Sequence, residues 1–223
     1  MAGRAEFLDN IRHRTRTGKY KPTQSPDVAW TPKEEPQESP HIEDPPARFL
    51  EELGALGGHG LRVSTVDEAR GYVLALARER GAKRLVRWDV EELEEMGVDG
   101  PLGEAGVEVA LWRDLEDFRE VAGKADIGLS TAAWAIAETG SLVIEGGPGR
   151  GRTVTLLPPT HVAVVPVDRM LRTVPEAIGK YACGGALPAN VTFHTGPSRS
   201  GDIEMSIFVG MLGPGDVHVI LVG

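Results

Sequence analysis

Apolar residues recur at helical spacing over 46–56, where Phe49, Leu50 and Leu53 share one side, and Gly57-Gly58 ends the run. A short strand is expected at 60–63. Ser64 or Thr65 then stands where a helix cap belongs, ahead of Val66, Ala69, Val73, Leu76 and Ala77 at core spacing. That helix runs to Arg80, and Gly81 stops it. The pattern next predicts a strand at 83–88, a helix at 90–96, a strand at 107–111 and a short helix at 114–122.

Past residue 125 the chain becomes denser in turn residues. A strand ending in a turn is expected at 126–130, and the small apolar run 131–138 predicts a helix packed closely on a sheet. Strands follow at 141–144, 153–157 and 161–167, with the glycines of 146–151 turning between the first two. Met170, Leu171, Val174 and Ile178 are spaced as the core side of a helix over 168–179. A strand at 190–194 empties into the segment 195–204, a helix is expected after that loop, and 217–222 is the last strand.

Strand, turn and helix units of this length predict an α/β fold with a mixed, mostly parallel sheet and helices on both faces. The β-rich centre argues for antiparallel strands inserted into it. Before residue 46 the pattern breaks: a short helix fits 4–16, but Gly18 and the five prolines from Pro22 to Pro40 predict an extended or mobile arm. Trp30 is the arm's one large anchor, for its own domain or for a neighbouring subunit. The expected organisation is a flexible proline-rich arm over 1–45 and one domain over 46–223.

The 223 residues suffice for one well-buried core. A net charge of −9, from 33 acidic and 24 basic residues, argues against a general nucleic-acid binder, while local arginines still suit small anions. The single cysteine, Cys183, excludes an intrachain disulfide and leaves a zinc or iron-sulfur cluster without its thiolates, so no cofactor is expected in this chain. Cys183 also lacks a base beside it in sequence, which weakens it as a nucleophile. The first residues carry no apolar signal region, and no apolar run reaches membrane-spanning length. A soluble, cytoplasmic protein is expected.

Four segments carry candidate chemistry. Glu138 follows an almost uncharged run and precedes Thr139 and Gly140; it reads either as a structural acceptor of backbone amides or arginine, or as a catalytic or ligand-contacting carboxylate. The loop from Gly146 to Arg152 holds Gly149, whose freedom lets backbone amides turn toward an anion, and Arg150 and Arg152, whose forked donors suit phosphate or carboxylate. It matches neither a dinucleotide fingerprint nor a Walker A loop, and a plain hairpin with solvated arginines is the alternative. Gly196, Ser198, Arg199 and Asp202 lie in the segment after the 190–194 strand, where an anion or substrate site competes with a structural cap and an arginine–carboxylate pair. His161 is a weaker candidate proton relay. His161 and His194 stand too far apart, with no local ligand spacing, to predict a metal site.

The stretch Ala135-Ile136-Ala137-Glu138-Thr139-Gly140-Ser141-Leu142, the turn Gly147-Pro148-Gly149-Arg150, the run Leu156-Leu157-Pro158-Pro159-Thr160-His161 and the segment from Thr195 to Glu204 resemble, in this order, the LUD domain family and its lactate utilization protein C branch. The resemblance covers roughly 49–223. It implies a NagB/RpiA/CoA-transferase-like fold and a place in a lactate oxidation system. The partners it implies are similar to the A and B lactate utilization components, a cysteine-rich putative redox subunit and an iron-sulfur subunit. Any iron-sulfur clusters would sit in those partners. The family's signature residues fall on Glu138, Thr139, Gly140, Gly196, Ser198, Arg199, Asp202 and Glu204. Ser200-Gly201 stands where relatives often carry Thr-Ala, a departure that loosens the start of the expected helix by roughly 1 kcal/mol.

Three functions follow as expectations. One is an accessory, non-iron-sulfur subunit of a complex that oxidises L-lactate to pyruvate, its pocket shaped by Glu138, Arg150 and Arg199. Another is an independent CoA-transferase-like or sugar-phosphate enzyme that uses Glu138. The third is a structural or regulatory subunit with a vestigial pocket. An anionic small molecule is the expected ligand, and a homo-oligomer is left open.

Overall fold

The computed structural model describes residues 41–112, 117–182, 187–201 and 207–223, together with Asp9. The expectations for the arm, for Trp30, for Cys183, and for Asp202 and Glu204 fall outside the described residues. Everything below concerns the compact unit Pro40–Gly223.

Helix α1 spans Pro45–Ala55, with the Asp44 side chain accepting from the Ala47 amide and prolines in its first turn, where the missing N–H is no loss. Strand β1 (His59–Val63), helix α2 (Val66–Glu79) and strand β2 (Arg84–Arg87) follow. Thr65 caps α2 through the Glu68 amide, and Ala69, Val73, Leu76 and Ala77 form its buried stripe. Helices α3 (Glu91–Met96) and α4 (Asp99–Glu104) lead to β3 (Glu108–Leu111), and α5 (Phe118–Gly123) leads to β4 (Ile127–Ser130). Helix α4 contains Pro101 and Gly103 and lay beyond the sequence expectation.

Corrections begin after β4. The run expected as a helix over 131–138 is instead a turn and strand β5 (Trp134–Ile136), paired antiparallel with β6 (Ser141–Gly146). Its apolar residues have no helical period, and the hydrogen bonds available across β6 decide the matter. The strand expected at 153–157 is helix α6 (Arg152–Leu156), which packs on β4 and β7 (Thr160–Pro166). The helix expected over 168–179 begins later: a 3-10 turn, Val167–Arg169, and the short strand β8 (Met170–Leu171) precede α7 (Val174–Ala182). Strand β9 (Asn190–His194) is as expected; Arg199–Gly201, within the segment expected as a loop, is strand β10, and it pairs with β11 (Ile207–Val209), a strand in place of the helix expected after the loop, before β12 (Asp216–Val222) closes the chain.

The strands sort into separate sheets. Six of them form an all-parallel sheet in the order β1-β12-β7-β4-β2-β3. The inserted strands stand apart as a four-stranded sheet, β8-β5-β6-β9, in which only the β8–β5 pair is parallel. Gly128, His161 and Val217 are in register, so they share one face, and His218 lies on the other. Helix α6 covers the Gly128 face and α2 meets His218 through Tyr72, which places helices on both faces.

The main core runs from Phe49 and Leu53 through Val73, Leu85, Trp88 and Ile127 to Val162 and Ile220. A smaller cluster, Ile136, Val143 and Ala177, joins the second sheet to α7. Among the described residues no helix is long and apolar enough to cross a membrane.

Candidate functional site

The candidate residues read from the sequence divide between separate places. Glu138 lies at the end of β5, where its backbone amide donates to the Arg172 carbonyl and its carboxylate accepts the Val174 amide at 3.1 Å. Thr173 accepts the Glu176 amide, so two side chains satisfy free donors at the start of α7, and Glu176 reaches back to accept the Arg172 amide just before it. This is the structural reading of Glu138. Its other surroundings are a cleft of about 450 Å³ bordered by Glu43, Asp44, Arg48 and Glu51, a predominantly acidic wall.

Thr139 and Gly140 serve the same junction. The Thr139 hydroxyl meets Ser141 at 2.7 Å, and Ser141 meets Thr195 at 2.8 Å, tying β6 to the end of β9. Gly140 has φ +62°, and a Cβ there would lie 2.5 Å from the Leu53 nitrogen in α1. Only glycine allows both the conformation and the approach. Further along, Gly196 packs on Leu56, the Ser198 amide donates to the Pro214 carbonyl, and the Arg199 guanidinium donates to the Leu56 carbonyl at the end of α1. Arg199 thus opens strand β10, with Ser198 just before it. The two signature segments converge on α1, and Arg199 supplies a carbonyl cap there.

His161 is fully buried on β7 and shares a 2.8 Å hydrogen bond with the Ser130 hydroxyl through Nε2. Its Nδ1 has no hydrogen-bond partner among the described residues, and its ring meets His194 edge-on at 5.9 Å. Burial first, then the neighbouring His194 and His218, pushes its pKa down to about 3. Burial pushes that of His194 down to about 4. These imidazoles lie between two sheets, and their lowered pKa values favour the neutral form.

The glycine–arginine loop lies elsewhere, at the carboxyl edge of the parallel sheet. Strand β2 leads outward to β3 and its neighbour β4 leads the other way to β7, so the ends of β2 and β4 border the crevice where open α/β sheets receive ligands. The loop is clamped there. The Asp89 amide donates to the Gly149 carbonyl at 3.0 Å, the Trp88 indole donates to the Gly151 carbonyl at 2.9 Å, and the Arg150 amide closes a turn on Gly147. Gly149 has φ +72°, and a Cβ there would stand 2.2 Å from the Asp89 carbonyl oxygen.

Held this way, the loop presents Arg150 and Arg152 to a cleft of about 600 Å³ that Arg119 and Trp112 also line. Arg119 and Arg152 are exposed and have no ion pair among the described residues. Arg150 is half-buried, 3.7 Å from Glu145, which in turn accepts the Tyr181 hydroxyl at 2.7 Å. Burial and that carboxylate raise the Tyr181 pKa, so the phenol stays a donor. Arg150 also borders a smaller cleft of about 220 Å³ beyond β4, whose other wall holds Arg169. Arg169 is engaged with Glu92 at 2.8 Å and the Ala132 carbonyl, and its hydrogen bond is the main cause of a lowered Glu92 pKa. Sequence reasoning found Arg150 and Arg152 but missed Arg119 and Trp112, which no local motif marks.

Fold and cleft together define an α/β domain with an arginine-bearing glycine loop at the carboxyl edge of a parallel sheet. The LUD domain family model matches residues 46–222, and the chain belongs to that family. A lactate utilization protein C from Halalkalibacterium halodurans is 31% identical over 216 residues, covering 95% of this chain and 94% of that one. Another, from an Exiguobacterium species, is 42% identical over 111 residues, 48% of each chain. A crystal structure of a DUF162 family protein from Deinococcus radiodurans superposes with a TM-score of 0.56 at 24% identity, covering 79% of this chain and 95% of that one.

Proposed function

We propose that this chain is an accessory, iron-sulfur-free component of an L-lactate utilization system, and that its carboxyl-edge cleft receives the carboxylate of a small anionic molecule. The observation that carries this reading is the convergence of Arg119, Arg150 and Arg152 on one cleft. Planar guanidinium forks match a carboxylate, and two of these three have no competing acid among the described residues. The extended similarity to a lactate utilization protein C supports the process.

Oxidation of L-lactate to pyruvate releases two electrons and two protons. With one cysteine, this chain lacks the thiolates of an iron-sulfur cluster, so the electrons pass to clusters in partners similar to the A and B components. The parallel sheet with its edge cleft also supports a NagB/RpiA/CoA-transferase-like relationship.

The test is lactate-dependent reduction of an electron acceptor by this chain, by cluster-bearing partners, and by the mixture. Activity confined to the mixture, and reduced by Arg150→Ala, is expected. Turnover by the isolated chain would replace this reading with an independent enzyme, and full partner activity without the chain would overturn it.

A further inference from the structure

At the opposite, amino-terminal edge of the parallel sheet, β1 and β12 bring together His59, Asp216 and His218. The origin is the register: His59 pairs with His218 across the parallel strands, and Asp216 precedes His218 by two residues, so all three project from one face. His59 Nε2 lies 3.4 Å from one Asp216 carboxylate oxygen, and His218 Nε2 lies 3.1 Å from the other. The potential donor atoms all fall within 4.8 Å of one another. Donors bound at zinc distances with tetrahedral angles stand about 3.3 Å apart, so the spacing already approximates a coordination shell.

A second observation points into the same place. His218 is only 3% exposed, yet its Nε2 makes no hydrogen bond of good geometry among the described residues and stands 3.1 Å from Asp216 Oδ2, the oxygen that Arg80 also contacts. Buried polar atoms without partners are rare and costly. On the far side of the His218 ring, Nδ1 meets the Tyr72 hydroxyl at 2.7 Å, the kind of outer contact that orients a metal-binding imidazole. Arg80 reaches Asp216 at 2.6 Å and occupies the position of a cation there, and a cleft of about 240 Å³ opens beside the group toward Glu79.

We propose that His59, Asp216 and His218 form a binding site for a transition-metal dication of the zinc class. Two imidazoles and a carboxylate favour such an ion over magnesium or calcium, which take oxygen donors. A solvent molecule in the cleft completes a four-coordinate shell. The ion pins the edge strand β1 to β12 and displaces the Arg80 guanidinium from Asp216.

The experiment titrates the full, tag-free, chelator-treated chain with Co²⁺, followed by the visible absorption of tetrahedral cobalt, and then displaces the cobalt with Zn²⁺. One ion per chain is expected. His59→Ala and Asp216→Asn should each weaken binding by at least the ~10–100-fold that losing an outer-shell partner alone costs. Arg80→Gln should tighten it, and His41→Ala should leave it unchanged. Because the His59 side chain is 57% exposed, His59→Ala tests the site even where Asp216→Asn disturbs folding. Absence of saturable one-to-one binding, or binding equal in wild type and His59→Ala, overturns the proposal.

Discussion

The Glu138 carboxylate accepts the Val174 amide at 3.1 Å, so the acid that heads the chain's densest motif closes the first turn of α7. An N-terminal carboxylate also complements the helix dipole. Glu138→Ala should therefore cost about 0.5–2 kcal/mol in urea unfolding. Glu138→Gln retains an acceptor and should recover most of that loss. A Gln variant that unfolds like wild type but loses all lactate-dependent activity would instead assign Glu138 a proton-handling role.

Gly140→Ala places a Cβ 2.5 Å from the Leu53 nitrogen at a positive φ. The added strain should exceed the ~1–3 kcal/mol typical of a residue held in that region, because the obstacle is backbone that cannot rotate away. Thermal unfolding should show a large drop, with α1 losing hydrogen-exchange protection first.

Arg150→Ala and Arg152→Ala should each weaken binding of a small carboxylate by roughly tenfold or more, since a charge-assisted hydrogen bond contributes about 1.5–3 kcal/mol. Arg199→Ala should behave differently. Its guanidinium is committed to the Leu56 carbonyl and lines neither arginine cleft, so stability should fall modestly while calorimetric affinity stays the same.

Stability should decline in acid from about pH 6.5 downward. Unfolded imidazoles titrate near 6.5, whereas burial holds His161 at about 3 and His194 at about 4. Below pH ~6.5 the unfolded chain binds more protons than the folded one, so the stabilisation is complete above that pH and fades as the pH falls toward the folded values. The fully buried His161 alone should contribute a slope of about 1 kcal/mol per pH unit. Urea midpoints at neutral pH and near pH 5 measure it, and equal midpoints would contradict neutral burial of these rings.

Ser130→Ala removes the one hydrogen bond of the His161 ring, whose Nδ1 already lacks a partner among the described residues. The loss should be about 1–3 kcal/mol, the cost of leaving a buried polar group unsatisfied. Ser130→Thr or a cysteine replacement offers a graded comparison in the same unfolding assay.

The sequence by itself determined the parallel framework. Helix α2 carries its cap, its buried stripe and its glycine stop within 65–81, and β7 and β12 are predominantly apolar beyond His161 and His218, as strands buried on both faces tend to be. It also determined that Gly149 and Arg150 lie in a turn, with a second cation, Arg152, just after it, because glycine and arginine carry those properties locally. What only the tertiary structure decided is whatever depends on a partner distant in the chain. Residues 134–136 became a strand because β6 offers it hydrogen bonds, and 152–156 became a helix packed against β4 at Gly128. Arg119 joined the arginine cleft, Arg199 left it for α1, and His59 met Asp216 and His218 across more than 150 residues of sequence through strand register. Local propensity carries no information about such meetings, since register and packing arise from the whole core at once.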